Sequence, residues 1–157
     1  MTIYLLTHQR EVHRKTNTGV LVADVLKQNA EVVLWERTAP DQKLLEAIEG
    51  GNIALLFPSD ESTSVTGPVA FENFIILDGT WQEARKIYNQ SPYLHKIPKL
   101  TIVAEKPSVY DLRRNQTNEG VCTAEVVVKL FKDQGKIDLS QAIENRLIDF
   151  LKESKKV

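Results

Sequence analysis

Residues 74–86 of the sequence, FIILDGTWQEARK, contain the signals for a strand, a turn and a helix in immediate succession. The apolar run Phe74–Leu77 has the composition of a buried β-strand, and it is followed by an aspartate and a glycine, at which the backbone can turn. Thr80 and Glu83 then have the spacing of a capping box, which predicts that a helix begins directly after Thr80. A strand that passes into a helix in this way is the repeating unit of α/β folds.

The same alternation of apolar runs and helical patterns continues on both sides of this stretch. Further strands are predicted at Ile3–Leu6, Glu31–Trp35, Ile53–Phe57 and Leu100–Val103. Further helices are predicted at 20–28, at 122–134, at 140–152, and between Pro40 and the glycine pair at 50–51. The sequence therefore predicts an α/β fold with a mostly parallel sheet flanked by helices. Its 157 residues suffice for one domain with a hydrophobic core and are too few for two, so residues 1–157 are predicted to form a single domain.

The charge of the chain is nearly balanced overall but uneven along the sequence. The formal net charge is −1, so the protein as a whole is not a polycation. Between residues 85 and 114, however, seven basic residues face only two acidic ones, and a second basic group lies near the N-terminus. Such a surface can contact a phosphate backbone, although simple solvation is the commoner role of surface lysines. The candidates for phosphate contacts are Arg10, Lys15, Arg85, Lys86, Arg113 and Arg114.

Cysteine content and hydropathy limit the classes of protein to which the sequence fits. Cys122 is the only cysteine, so neither an internal disulfide nor a zinc site built from cysteines can form within this sequence. The opening apolar run is too short for a signal peptide, and no stretch is long enough to cross a membrane. We therefore expect a cytoplasmic protein without a bound metal.

The position of a ligand site can be predicted from the segments that follow the predicted strands, because ligands of parallel α/β sheets bind beyond the carboxyl ends of the strands. Three segments that follow predicted strands carry unusual residues, namely 57–62, 78–81 and 113–125. All three can converge on one pocket. The helix that begins after Thr80 would direct its N-terminal N–H groups, and the positive end of its dipole, towards an anionic group there.

Several residues of these segments allow both a structural and a functional interpretation. Asp78 can brace the turn, or it can act as a general base or polar anchor at the strand end. Trp81 can belong to the core or stack on a flat ring. Asn17 and Thr18 can simply start a helix, and Glu125 can complete a helix cap. The residues alone leave these alternatives open.

The motif of Asp78, Thr80 and Trp81 resembles the signature of the DTW-domain family, the tRNA-uridine aminocarboxypropyltransferases. The resemblance extends from about Leu5 to Phe150 through further blocks in the same order. These blocks are His8 with Arg10-Glu11, Asn17-Thr18-Gly19, Leu56-Phe57-Pro58-Ser59, Ser91-Pro92-Tyr93-Leu94, Tyr110–Arg114 and Gly120–Glu125. Several blocks in order are far more specific than a motif of three residues.

The resemblance implies a SPOUT-like fold, in which a C-terminal trefoil knot binds S-adenosylmethionine. It also implies an enzyme that transfers the 3-amino-3-carboxypropyl group of S-adenosylmethionine to N3 of a tRNA loop uridine and releases methylthioadenosine. Asp78 is then the first candidate for a catalytic base that removes the N3 proton. The candidate cofactor-binding residues are Leu56, Pro58, Ser59, Asp78, Thr80, Trp81, Thr123 and Glu125.

One departure from the family pattern and several alternatives accompany this resemblance. Many relatives carry an N-terminal cysteine-rich segment that resembles a zinc site, and this sequence lacks those cysteines, which again predicts that no metal is bound. The alternatives are a non-catalytic RNA-binding module of the same fold, a methyltransferase, and transfer to rRNA. The expected partners are tRNA and S-adenosylmethionine, and the protein is expected to act as a monomer or a homodimer.

Overall fold

The computed structural model describes residues 1–12, 17–56, 71–100 and 123–155, and the following account concerns these residues. The strands are β1 (Thr2–Thr7), β2 (Ala30–Leu34), β3 (Ile53–Leu56), β4 (Asn73–Asp78) and β5 (Lys99–Leu100). The α-helices are α1 (Gln9–Val12), α2 (Gly19–Leu26), α3 (Gln42–Gly50), α4 (Trp81–Asn89), α5 (Thr123–Asp133) and α6 (Ile137–Lys155). Two short 3-10 helices cover Lys27–Asn29 and Pro92–Lys96.

The strands form one sheet in the order β2-β1-β4-β3-β5, in which every neighbouring pair is parallel. This confirms the predicted α/β fold with a parallel sheet flanked by helices. The SPOUT-like knot remains a prediction, because residues 101–122 lie outside the described part of the chain. β1 and β4 are adjacent at the centre, and their register pairs Thr7 with Asp78, so the two strands end side by side.

The sheet is covered by helices on both faces, because successive side chains of its buried strands point to opposite sides. One face, with Leu5 and Ile76, packs against α2, α5 and α6. The other face, with Leu6 and Ile75, packs against apolar residues of α3 and α4. The helices α2 and α4, which follow the neighbouring strands β1 and β4, therefore lie on opposite faces of the sheet.

Element boundaries differ from the predicted ones where local geometry decides them. The predicted helix 20–28 ends at Leu26, because Lys27 adopts a left-handed φ of 52°. The predicted strand Glu31–Trp35 is shifted by one residue, and Trp35 follows β2 as a buried residue that packs on the face of the sheet covered by α3 and α4. The last helix begins three residues earlier than predicted, at Ile137, shortly after the turn at Gly135 with its φ of 78°.

Candidate active site

The adjacent ends of β1 and β4 mark the topological switch point of the sheet. From β1 the chain enters α2 on one face, and from β4 it enters α4 on the other face. A crevice opens between strand ends whose connections diverge in this way, and ligands of open α/β sheets bind there. The strand ends are joined by a hydrogen bond from the backbone N–H of His8 to the carbonyl oxygen of Asp78, at 3.2 Å.

The start of α4 is fixed by the capping box that the sequence predicted. The backbone N–H of Glu83 donates to Thr80 Oγ1 at 3.2 Å, and the backbone N–H of Thr80 donates to Glu83 Oε1 at 2.9 Å. Gly79 suits the turn, because an added Cβ would lie 3.0 Å from the Cβ of Glu83, which is a tighter contact than most side chains make. The motif therefore directs the N-terminus of α4 towards the edge of the sheet, as we expected from its sequence.

The carboxylate of Asp78 lies inside the protein, with 3% of the residue exposed. Its Oδ1 accepts a hydrogen bond from Thr123 Oγ1 at 2.8 Å, and its Oδ2 accepts one from Asn17 Nδ2 at 2.9 Å. Thr7 Oγ1 lies 3.2 Å from the same Oδ2 and 3.0 Å from the carbonyl oxygen of Leu5. A hydroxyl has one hydrogen to share between these two acceptors, so Asn17 and Thr123 are the principal donors to the carboxylate.

Asn17 connects Asp78 to a second buried carboxylate. Its Nδ2 also donates to Glu11 Oε1 at 3.2 Å, and Glu11 is fully buried. Its Oδ1 accepts from the backbone N–H of Val20 at 3.1 Å and so contributes to the start of α2. The prediction that Asn17 starts a helix is therefore correct, but the same side chain also holds two acidic groups with its two N–H bonds.

Gly19 brings the first turn of α2 into contact with Asp78. An added Cβ at this position would lie 2.5 Å from Asp78 Oδ2 and 3.1 Å from Asn17 Oδ1. Real Cβ atoms do not approach an oxygen so closely in a packed interior, so only glycine fits without a shift of the carboxylate or the helix. The close approach to Asp78 thus gives a structural reason for the glycine in the Asn17-Thr18-Gly19 block.

The start of α5 joins the same cluster through two neighbouring residues. Thr123 donates to Asp78, and the backbone N–H of Ala124 donates to Thr18 Oγ1 at 3.1 Å, across 106 residues of sequence. The first turns of α2 and α5 are therefore bonded to each other and to the end of β4. Both helices direct the positive ends of their dipoles towards this cluster.

Opposing influences act on the pKa of Asp78. Burial raises the pKa of this carboxyl above its usual range, since the charged form loses its hydration, and the nearby Glu83 carboxylate adds to the increase. The hydrogen bonds from Asn17, Thr123 and Thr7 lower the pKa, and the net result is still an increase. The ionised form thus depends on these donors.

His8 lines the edge of the cluster on the side of α4. Its ring stacks on Trp35, with ring centroids 5.8 Å apart, and the Trp35 indole N–H donates to Ser91 Oγ at 2.9 Å. Its Nδ1 accepts a hydrogen bond from the backbone N–H of Arg10 at 3.1 Å and lies 3.9 Å from Glu83 Oε2. A nitrogen that accepts a hydrogen bond carries no proton, so the longer contact is not an ion pair while that bond is present.

The structure places part of the predicted site together. Asp78 and Thr123 are in contact, and Thr80 lies at the adjoining turn. Leu56, at the end of β3, is buried on the face of the sheet covered by α2, α5 and α6. Glu125 lies half-buried in the first turn of α5. Outside the described residues lie Pro58, Ser59, Lys15, Arg113 and Arg114; for Trp81 only its place as the first residue of α4 is described.

Three residues whose side chains bond to Asp78 or to its partner Asn17 were not among the predicted site residues: Thr7, Glu11 and Asn17. A signal existed for two of them, since Glu11 and Asn17 belong to blocks that carry the family resemblance. Thr7 has no such signal, because a threonine at a strand end is common. The register of β1 against β4 is what brings it to Asp78.

Metal-binding groups and membrane-spanning helices can be assessed for the described residues alone. Among them, no group of three or more His, Cys, Asp or Glu side chains is placed to hold a metal ion. In the same part of the chain, no helix combines the length and apolar character needed to span a membrane.

Comparison with known proteins identifies the family. The model of the DTW domain matches residues 1–156, which is nearly the whole sequence. This chain belongs to the DTW-domain family. The fold brings into contact Asn17, Asp78 and Thr123, which come from three of the blocks that carry the sequence resemblance.

Two curated relatives are both named tRNA-uridine aminocarboxypropyltransferase 2. The protein from Drosophila melanogaster is 26% identical over 137 residues, which cover 81% of this chain and 53% of the relative. The protein from Macaca fascicularis is 24% identical over 131 residues, which cover 78% of this chain and 44% of the relative. The chain thus spans about half the length of the curated relatives it matches. No solved structure matches at a significant level.

Proposed function

We propose that this protein is an enzyme that transfers the 3-amino-3-carboxypropyl group of S-adenosylmethionine to N3 of a uridine in a tRNA loop. Membership of the DTW-domain family and the names of the curated relatives support this proposal. The observation that carries it is the meeting of Asn17, Asp78 and Thr123 at the switch point of the sheet. These residues come from three separate family blocks, and the fold assembles them at the edge where α/β proteins bind ligands.

The described residues suit a ligand with the charges of S-adenosylmethionine, which carries a sulfonium, an ammonium and a carboxylate. The buried acidic groups Glu11, Asp78 and Glu83 favour cationic groups near the strand ends. The N-terminus of α4, at Thr80 and Trp81, favours a carboxylate. The cofactor-binding roles of Leu56, Pro58, Ser59, Thr80, Trp81, Thr123 and Glu125 remain predictions within this proposal.

The chemistry of the transfer requires positioning above all. A sulfonium activates three neighbouring carbons for displacement, so the product depends on which carbon lies in line with the nucleophile. In the proposed reaction, uridine N3 bonds to Cγ of the amino-acid arm, the Cγ–S bond breaks, and its electron pair leaves with methylthioadenosine. N3 loses its proton in the process. Since base pairing would occupy N3, the target uridine must be unpaired, as it is in a tRNA loop.

Contacts to the tRNA backbone are proposed for the basic residues near the strand ends. Arg85 and Lys86 are exposed on α4, within two turns of its start, and Arg10 is exposed on α1, directly after the end of β1. Such side chains position an RNA by contacting phosphates. The same role for Lys15, Arg113 and Arg114 stays a prediction on the sequence.

The test is an incubation of the purified protein with S-adenosylmethionine and unmodified tRNA transcripts. Methylthioadenosine is followed by mass spectrometry, and the RNA is digested to nucleosides. We expect methylthioadenosine together with a uridine that is heavier by one aminocarboxypropyl group. A tRNA in which the modified uridine is replaced by cytidine should give neither product.

Each alternative gives a different result in this assay. S-adenosylhomocysteine and a methylated base would show a methyltransferase. Modified uridine in rRNA but not in tRNA would show that rRNA is the substrate. Binding of tRNA without either by-product would show a non-catalytic RNA-binding module and would refute the proposed activity.

A further inference from the structure

The carboxylate of Asp78 is the point at which three distant parts of the chain are joined. Asn17 lies 61 residues before it and Thr123 lies 45 residues after it, and each donates a hydrogen bond to one of its oxygens. Through these bonds the first turns of α2 and α5 are attached to the end of β4. A further hydrogen bond, from the backbone N–H of Ala124 to Thr18 Oγ1, joins the starts of α5 and α2 directly and does not involve Asp78.

We propose that Asp78 is a positioning residue rather than the catalytic base, and that Asn17 sets the orientation of its carboxylate. The inference rests on the proposed transfer reaction for its catalytic readout. In this assignment Asp78 holds the starts of α2 and α5 at the strand ends where the substrates bind. The N3 proton then passes to another acceptor, in the site or in solvent.

The geometry of Asp78 argues against direct contact with a uridine. A general base must bring a free lone pair to within hydrogen-bonding distance of the proton it removes. Both oxygens accept hydrogen bonds from buried donors, and with 3% of the residue exposed the remaining lone pairs face protein and not an open site. The backbone of Gly19 covers Oδ2 so closely that an added Cβ would lie 2.5 Å from it. A carboxylate that is bonded and covered in this way holds groups of the protein in place and does not contact a substrate.

The hydrogen bonds of Asn17 explain how two buried acidic residues, Asp78 and Glu11, can lie close together. Its amide donates one hydrogen to Asp78 Oδ2 and one to Glu11 Oε1, at 2.9 and 3.2 Å. Its Oδ1 is held by the backbone N–H of Val20, so the amide cannot rotate without losing all three contacts. Asn17 is therefore a second positioning residue.

The contacts allow a variant that separates the two roles. In Asp78→Asn, the amide oxygen can replace Oδ2 and still accept from Asn17, while the amide nitrogen replaces Oδ1 and donates to the hydroxyl of Thr123. The attachments of α2 and α5 are kept, but the side chain can no longer accept a proton. Asp78→Ala removes both the attachments and the carboxylate.

The experiment measures methylthioadenosine release with tRNA across pH for the wild-type protein and the Asp78→Asn, Asp78→Ala and Asn17→Ala variants. S-adenosylmethionine binding and the Tm are measured on the same samples. Asn145→Ala serves as a control, because Asn145 is exposed on α6 and its Oδ1 accepts a hydrogen bond from Gln141 Nε2 on the same helix, at 2.9 Å. Glu11, Glu83 and His8 are further ionisable groups near Asp78, so the shape of the pH profile is compared between variants and not assigned to one group.

We expect Asp78→Asn to bind S-adenosylmethionine, to keep a Tm at least as high as the wild-type protein, and to lose less than about 100-fold in kcat with an unchanged pH profile. We expect Asp78→Ala and Asn17→Ala to lose Tm, S-adenosylmethionine binding and turnover together. Since a general base contributes about 10²–10⁴-fold, a larger loss in Asp78→Asn with intact binding and Tm would identify Asp78 as the base and overturn the inference.

Failure of the proposed function would be distinguishable from failure of this inference. If the wild-type protein releases no methylthioadenosine with any tRNA, the proposed activity is wrong, and the Tm and binding data still decide the role of Asp78. In that case equal Tm values for all the variants would overturn the positioning role. A decrease confined to Asp78→Ala and Asn17→Ala would support it.

Discussion

Gly19→Ala is the substitution that tests the close approach of α2 to Asp78 most directly. The added methyl group would lie 2.5 Å from Asp78 Oδ2 and 3.1 Å from both Asp78 Cγ and Asn17 Oδ1. None of these atoms can withdraw freely, because the carboxylate is bonded to Thr123 and the Asn17 amide is bonded to Glu11. Either α2 moves away from β4 or the bond between Asn17 and Asp78 is lost.

The cost of Gly19→Ala can be estimated from these two responses. An extra methyl group in a packed interior costs about 1–3 kcal/mol, and a lost hydrogen bond to a charged group about 1.5–3 kcal/mol. The better helix propensity of alanine offsets at most about 1 kcal/mol. We expect a net decrease of about 1–3 kcal/mol in the free energy of unfolding, which corresponds to a decrease of roughly 4–8 °C in Tm for the middle of that range.

The assay is thermal and urea unfolding of Gly19→Ala beside Gly50→Ala at neutral pH. Gly50 is the last residue of α3, and an added Cβ there would meet no atom within 4 Å. Gly50→Ala is therefore expected to change the free energy of unfolding by less than about 1 kcal/mol. If Gly19→Ala unfolds at the same temperature as Gly50→Ala, the described contact between α2 and the carboxylate is wrong, and the positioning role of Asp78 loses its support.

Three further predictions concern the pH dependence of stability, the helix cap and the RNA-binding surface. Because burial raises the pKa of Asp78, its contribution to stability is complete below the usual pKa of the free carboxyl and is lost as the pH rises through the folded-state pKa. Asp78→Asn does not titrate, so its Tm minus that of the wild-type protein should increase as the pH rises above about 4, the usual pKa of a free aspartate, and a constant difference in thermal scans would contradict the raised pKa. Thr80→Ala removes the cap of α4 and should lower the free energy of unfolding by about 1 kcal/mol in urea titrations, whereas an unchanged value would show that the cap is dispensable. Lys86→Glu should weaken tRNA binding in filter-binding assays at low salt by about tenfold, and Lys132→Glu, on the exposed side of α5, should not; equal effects would mean that the α4 surface has no special role.

The parts of the fold that depend on near neighbours in sequence were predictable. The capping box of Thr80 and Glu83 spans three residues, and both of its hydrogen bonds are present. The strand Phe74–Leu77 could be read from its apolar run, because parallel strands buried on both faces need continuous apolar sequence. The alternation of such runs with helices then fixed the class of fold.

The contacts of the site were not predictable in the same way, because they depend on the register of the strands. Asn17 starts α2, as its sequence context indicates, through the bond from Val20. Nothing near Asn17 in the sequence reveals that its Nδ2 reaches Asp78, since that contact follows from the pairing of β1 with β4. The family blocks showed which segments matter, and the fold shows which atoms they share.

The topology explains why a buried carboxylate rather than an exposed one occupies the end of β4. At the switch point, helices that leave β1 and β4 on opposite faces direct their N-termini to the same edge, and α5 adds a third from the face of α2. Three such dipole ends favour a negative charge, and the side-chain and backbone donors at the starts of α2 and α5 need acceptors. Asp78 and Glu11 satisfy part of this need within the protein, whereas the proposed function assigns the N-terminus of α4 to an anionic group of the substrate. The attachment of α2 and α5 to the end of β4 therefore follows from the strand order, which places these helix starts beside Asp78.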